Sequence, residues 1–423
     1  LNLLTRLAKR KFNMGVQMQA KTEQKSLLLV LPLPVHQRGD DIVIEPQAAN
    51  GLRRWLENFD RVTVCLKLVN GAAEAGAVPL SDIAPSDRLG FELFDPAWSP
   101  SRFIRLLPSE RKRIRALIEG HRYLHFAIGG FWGDWGAVGA LIAGRMGRPY
   151  SVWTDRVESR VMSIDADRHG GLKGKYRKLV SWAAFELEKT VIRASALGLF
   201  HGRDTFSAYS KFASKPYLVH DIHVGKEFAI SDTALSQKIA HCFDRPLKII
   251  YTGRMHPDKG PIDWLKTLDL ARQSGLKFEA TWYGSGPMQA DMVREISDRK
   301  LADCVQLPGQ LADREKLLSA IRSADIMLFC HLTPESPRCL IEALISGTPI
   351  VGYSSDYSAD LIAENGGGVL TPMEPSALAK AIIDLASDRS RLAGLISSAA
   401  RDGADFNDEA VFKHRSELMK LHS

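Results

Sequence analysis

Tyr251-Thr252-Gly253-Arg254-Met255-His256-Pro257-Asp258-Lys259-Gly260 follows directly on an apolar run, Leu247 to Thr252, and precedes Pro261. A short apolar run, a turn bounded by glycines and a proline opening the next segment predict strand, tight turn and helix. Gly253 lets the backbone turn sharply once the strand ends. Arg254 and Lys259 then bring two cations to a strand's carboxyl end, where open α/β sheets bind their ligands, and a diphosphate suits them. Two exposed cations beside a surface turn would read the same way.

Three further turns follow the same plan. Tyr283-Gly284-Ser285-Gly286-Pro287 ends a second strand, Phe278 to Tyr283, and its glycines let a ligand approach the main chain. Leu307-Pro308-Gly309-Gln310 ends a third, Val305 to Pro308, where Gly309 leaves backbone groups free to read a flat base. In Pro334-Glu335-Ser336-Pro337-Arg338-Cys339-Leu340-Ile341-Glu342, Ser336 reads as a helix N-cap and Pro337 as the first helical residue. The first amides, those of Arg338, Cys339 and Leu340, then form an anion site at the positive helix end. Glu342 follows roughly 7 Å further along, placed to accept bonds from a ribose, although a solvated Glu on a helix face would read alike.

Strands Leu247 to Thr252, Phe278 to Tyr283, Val305 to Pro308, Asp325 to Cys330 and Pro349 to Tyr353 alternate with helices opening near Pro261, Pro287, Asp313, Pro337 and Asp356. The N-terminal half shows the same alternation, with strands at Leu27 to Leu33, Arg61 to Lys67, Tyr123 to Ala127, Pro149 to Trp153, Ala196 to Phe200 and Pro216 to Val219. Such alternation predicts two doubly wound parallel sheets, and periodicity weakens between them from Asp221 to Arg245. The expected organisation is a disordered basic tail over 1–25, an N-terminal Rossmann-like domain over 26–240, a C-terminal one over 246–404 and a final helix over 405–423. With 423 residues, two domains of ordinary size facing a cleft are natural.

Hydrophobic residues make up 45% and charged residues 25%, close to globular averages, which argues against disorder and against a membrane-embedded bundle. The longest apolar run, Leu27 to Val35, holds two prolines and is too short to span a bilayer. Five scattered cysteines without a C-x-x-C spacing suggest a reducing, cytoplasmic compartment. Met14 and Met18 stand shortly before the first strand, raising the expectation that the native start lies further in. Residues 1–240 hold 35 Lys and Arg against 24 Asp and Glu, the remainder 21 against 25, so the N-terminal half should face an anion. Nucleic acid, an anionic membrane and a phosphate-bearing acceptor all answer that charge.

The four turns together resemble the donor domain of retaining GT-B glycosyltransferases of family 4. The resemblance covers about Leu247 to Ile383, through G-R-x-x-x-x-K-G at Gly253 to Gly260, G-x-G-P at Gly284 to Pro287, E-A-L-I-S-G-T-P-I-V at Glu342 to Val351, and Gly366 to Pro372. It implies that Arg254 and Lys259 grip the donor diphosphate, that Glu342 holds the ribose, and that no metal or other cofactor is needed. It also implies that Phe406-Asn407-Asp408-Glu409 opens a last helix crossing back to the N-terminal domain. The family's first Glu stands eight positions before its second. Here that position is Pro334, and Glu335 is the nearest carboxylate.

The N-terminal half matches that family in layout only. Asp155 stands where many relatives carry a His near the donor, and is the acceptor-side catalytic candidate beside Glu335, Arg254 and Lys259. Trp132 and Trp135 could stack on sugar rings or pack in the core. Arg338 could pair with an acidic donor sugar or stand exposed in the first turn. Arg105, Arg111, Lys112, Arg113 and Arg115 among apolar residues suit either an anionic lipid surface or a plain solvated helix.

The expectation is a retaining transferase that moves a hexose-type sugar from a UDP- or GDP-linked donor to a carbohydrate or lipid-diphosphate-linked acceptor. It would work without metal, without nucleic acid, in the cytoplasm or peripherally on the inner face of the cell membrane, in bacterial surface polysaccharide synthesis. A sugar-nucleotide 2-epimerase of the same plan and a non-catalytic nucleotide-binding subunit are the alternatives.

Overall fold

The computed structural model describes residues 25–73, 76–167 and 171–422. The tail expected over 1–25 lies, but for Lys25, outside the described residues. Fifteen strands and fifteen helices of the described residues form two α/β bodies.

The first body contains β1 (Ser26–Arg38), β2 (Asp41–Ile44), α1 (Pro46–Asn58), β3 (Arg61–Leu68), β4 (Val78–Pro79), β5 (Leu89–Phe94), α2 (Pro100–Glu119), β6 (Tyr123–Ala127), α3 (Trp135–Arg145), β7 (Ser151–Thr154), α4 (Glu158–Asp167), α5 (Gly171–Arg193), β8 (Leu197–His201), α6 (Gly202–Tyr209) and β9 (Pro216–Val219). Its parallel strands run β5-β3-β1-β6-β7-β8-β9. β1 outruns its expected end because Pro32 and Pro34 sit at a register shift between Val30 and Pro34, beyond which it pairs antiparallel with β2.

The second body contains α7 (Asp232–His241), β10 (Leu247–Thr252), α8 (Pro261–Gln273), β11 (Phe278–Tyr283), α9 (Gln289–Asp298), β12 (Val305–Gly309), α10 (Arg314–Ser323), β13 (Ile326–Phe329), α11 (Arg338–Ile345), β14 (Ile350–Tyr353), α12 (Asp356–Leu361), β15 (Gly368–Thr371), α13 (Pro375–Ser387) and α14 (Arg389–Gly403), before α15 (Asp408–His422). Its six parallel strands run β12-β11-β10-β13-β14-β15. In both sheets the order reverses at the first strand, so β1 and β10 mark the crevices where ligands of such sheets lie.

Burial explains the order. β10 is apolar along almost its whole length and takes the central place, with Trp264 of α8 and Trp282 of β11 fully buried beside it. Gly260 carries φ 61° and ψ 44° between β10 and α8, and a Cβ there would stand 2.1 Å from the Cys330 carbonyl oxygen. Only glycine meets both demands at this turn.

Two sequence expectations need correction. The stretch from Asp221 to Arg245 is not a loose linker: Ile222, Val224 and Cys242 belong to the C-terminal core, and the domain boundary falls near 220. α7 therefore belongs to the second body and not to the domain expected over 26–240, since Leu235 and Ile239 pack against the C-terminal core. Its hydrophobic signal is weak because Lys238 is its buried residue, bonded to Thr348 Oγ1 at 2.5 Å. Ser336 is not the N-cap of α11 either. Its hydroxyl donates to the His201 carbonyl at 2.6 Å, across the two bodies, and Pro337 takes the cap position.

α15 leaves the second body and packs on α1 of the first, burying Phe412 and Met419 in the N-terminal core with an edge contact to Trp55 at 5.2 Å.

Candidate functional site

Loops from the carboxyl ends of both sheets meet around two adjoining cavities. The larger, about 830 Å³, is walled mainly by the C-terminal body: Gly253, Arg254 and Lys259 after β10, Gly284 and Gly286 after β11, Arg338, Cys339 and Glu342 on α11. The smaller, about 480 Å³, is walled by the N-terminal body and α15, with Asp155, Arg254 and Glu335 on its lining. Arg254, Arg338, His223 and Glu45 line both, and so mark the passage between them.

The first turn brings its cations into the cleft with different surroundings. Arg254 is exposed, whereas Lys259 keeps only 12% of its side-chain surface and donates from Nζ to Glu335 Oε1 at 2.6 Å. Glu335 thus reaches the same lysine from the loop before α11. That loop also bridges Arg156, after β7, through the backbone. Gly284 lets β11 end against the first turn, since a Cβ there would lie 2.0 Å from the Gly253 carbonyl oxygen.

Glu342 lies one turn inside α11, 5% exposed, and accepts from Arg314 at 2.7 Å. Arg314 opens α10 and lines the larger cavity, a cation that sequence spacing gave no reason to single out. Gly309 and Leu340 do not reach the cavity lining. Gly309 accepts from the Gly284 amide at 2.9 Å, and Leu340 is buried with its amide turned to the Pro337 carbonyl at 3.2 Å. Leu340 is thereby removed from the expected anion site.

Cys339 lines the cavity, but burial pushes its thiol up to about 12, with Lys259 opposing. A thiol held neutral at pH 7 is a poor nucleophile. Iodoacetamide should therefore modify native Cys339 far more slowly than the unfolded chain, by mass mapping of the labelled peptide; equal rates would refute this.

Asp155 faces the cleft at the end of β7. The residue's surface is open to solvent, but its carboxyl sits between the cleft walls, where lost hydration raises it from the ordinary Asp value, with Arg156 opposing. Beside it stands a group that the sequence did not mark. Burial would raise the carboxyl of Asp221, but His223, Arg415 and Arg338 overcome this and hold it well below the usual range. Arg415 lies 3.0 Å from Asp221 and 3.8 Å over the Trp153 ring, and Arg338 reaches Asp221 from α11 at 3.9 Å. His201 stacks on Trp153 at 5.6 Å, and burial lowers its imidazole to about 4, so it is neutral at pH 7.

Of the two readings open for Trp132 and Trp135, packing against neighbouring rings is the one observed, and neither residue lines the two cleft cavities. Trp135 is 3% exposed and packs on Phe94 and Phe103, while Trp132 packs on Phe103 and Phe131. Asp134 caps α3 by accepting from the Ala137 amide at 2.8 Å, which sets Trp135 at the first position of the helix. The rings on the smaller cavity are instead Trp55, Trp153 and Phe412.

Residues 246–388 match the profile of the family described as glycosyl transferases group 1. Among curated proteins, the chain is 27% identical over 191 residues to the amylovoran biosynthesis glycosyltransferase AmsK of Erwinia amylovora, covering 43% of this chain and 47% of that one. It is 33% identical over 102 residues to the phosphatidyl-myo-inositol mannosyltransferase of Mycolicibacterium smegmatis, covering 24% of this chain and 26% of that one. The chain thus spans less than half the length of these relatives. Among solved structures, HepE of Anabaena in complex with UDP superposes with a TM-score of 0.65 at 18% identity, covering 94% of this chain and all of that one. WaaG, described as a glycosyltransferase of lipopolysaccharide biosynthesis, gives 0.62 at 10% identity, covering 93% and 99%. The fold is GT-B: two parallel-sheet domains facing a cleft.

Proposed function

We propose that this chain is a retaining glycosyltransferase that moves a hexose-type sugar from a UDP- or GDP-linked donor to a carbohydrate acceptor carried on a lipid, in surface polysaccharide synthesis. The observation that carries the reading is the convergence of Arg254, Lys259 and the start of α11 on one cavity that also holds the Glu342–Arg314 pair. The family match over the same residues and the UDP complex of the Anabaena neighbour support it.

In this reading the diphosphate lies between Arg254, Lys259 and the Arg338 and Cys339 amides. Glu342, steadied by Arg314, takes the ribose hydroxyls. Charge grows on the diphosphate as the sugar–phosphate bond lengthens, and fixed cations stabilise that charge without reorganisation. The acceptor enters the smaller cavity beside Asp155 and Trp153, attacks from the leaving group's side, and passes its proton to the departing diphosphate. Glu335 holds Lys259 in place beside the reacting bond.

Screening nucleotide sugars for thermal stabilisation should find a selective donor. Release of nucleoside diphosphate should then require an added acceptor. Donor conversion without acceptor would indicate an epimerase, and binding without any turnover a nucleotide-binding subunit. Because protein cations neutralise the diphosphate, turnover should also persist in excess EDTA. Loss of activity restored by Mn²⁺ or Mg²⁺ would reject that assignment.

A further inference from the structure

Helix α5 turns four large apolar side chains to solvent: Leu172 is 85% exposed, Tyr176 52%, Leu179 60% and Trp182 62%. Spacings of four, three and three residues set them on one stripe, opposite the face that buries Val180, Ala184 and Val191 in the domain. Exposed apolar residues scattered singly are ordinary, but a stripe of this length marks a contact surface. Trp98, 66% exposed, stands next to it, and with Trp132, Met162, Tyr176 and Val180 it lines a groove of about 320 Å³.

The stripe is set among cations. α5 holds six Lys and Arg against two Asp and Glu, with Lys173 and Lys175 exposed within it. α2 carries the same ratio. The basic run of α2 is a weaker candidate for a lipid surface, since Arg113 is tied to Glu92 and Glu110 at 2.8 Å each, and Arg115 to Glu119 at 3.1 Å.

We infer that the α5 stripe docks the N-terminal domain on an anionic lipid surface. Charge selects this occupant over a second copy, since two such helices face to face would set like charges together. An anionic headgroup layer instead attracts the lysines, whose stems reach back from apolar depth while Leu, Tyr and Trp enter the boundary. The docking itself stands apart from the transfer reaction. A lipid-anchored acceptor is the part that rests on the proposed function: α4 runs from Glu158 on the cleft lining to Asp165 beside the groove, roughly 10 Å, so a headgroup rising from the bilayer enters the smaller cavity.

The test sediments the whole chain with vesicles of phosphatidylcholine alone or mixed with phosphatidylglycerol. Wild type should partition about tenfold or more in favour of the mixed vesicles and release as salt rises. Leu179→Ser with Trp182→Ser should lower that partition about tenfold, because two buried apolar groups are lost from the boundary. Both side chains are exposed, so circular dichroism and nucleoside diphosphate affinity should stay at wild-type values. Absence of binding to either vesicle, or equal binding by the double variant, overturns the inference. So does a wild-type dimer that the double variant abolishes, which would assign the stripe to a second copy. Vesicle binding by a chain that binds no nucleoside diphosphate would leave the docking intact and remove the donor assignment instead.

Discussion

Replacing Arg415 by Met should destabilise the chain by about 1.5 to 3 kcal/mol at pH 7, measured by urea unfolding, because it removes a charge-assisted bond from Asp221 and leaves that carboxylate only His223 at 3.5 Å and Arg338 at 3.9 Å. The guanidinium is 5% exposed, bonded to Asp221 at 3.0 Å and seated over Trp153, Trp55 and Phe412. Burial lowers its pKa to about 10, with Asp221 opposing, so it stays charged at neutral pH. The carboxyl of Asp221 is depressed in the folded chain. Its contribution is therefore fully present above the unfolded Asp value, about 3.9, and fades as pH falls through the lower folded value. The difference between wild type and variant should accordingly shrink in acid. Adding Asp221→Asn to Arg415→Met should recover about 1 to 3 kcal/mol, since the two changes touch one interaction. A single variant within about 0.5 kcal/mol of wild type would show that α15 is held by apolar packing alone.

Lys259→Ala and Arg254→Ala should each slow turnover of the donor found by screening by about 10²- to 10³-fold, the usual result of removing one preorganised stabiliser of developing charge. The two should differ in stability. Arg254 is exposed and its loss should leave the melting temperature near wild type, whereas Lys259 is nearly buried and its loss strands Glu335. Turnover should fall further than affinity in both, because charge on the diphosphate is larger in the transition state than in the bound donor. Steady-state kinetics of the folded variants supply the comparison. Losses below about twofold, roughly 0.4 kcal/mol, would place the leaving group elsewhere.

How much of this was legible depended on how local each signal was. The strand, glycine turn and helix of the β10–α8 unit announce themselves because the αL position at Gly260 and the apolar run are consecutive in the chain. The edge strands β5 and β15 were missed, since short, partly exposed strands lack a clear apolar pattern. Arg314, Asp221 and Arg415 escaped notice for another reason. Asp221 and Arg415 lie 194 positions apart, and neither carries any local pattern that would join them. Trp132 and Trp135 stayed open between sugar stacking and core packing because an aromatic beside a strand end reads the same whether it faces a cleft or a core. Ser336 misled: its hydroxyl is the right kind for a cap, but the His201 carbonyl across the cleft claims it.

The most direct test of the central claim is calorimetric titration of UDP and of GDP into the wild-type chain and into Arg254→Ala and Lys259→Ala. A charge-assisted hydrogen bond contributes about 1.5 to 3 kcal/mol, so each variant should bind its nucleoside diphosphate roughly 10- to 100-fold more weakly than wild type. Wild-type chain that binds neither nucleotide, or variants that bind within about twofold of it, would contradict a diphosphate site at the β10–α8 turn.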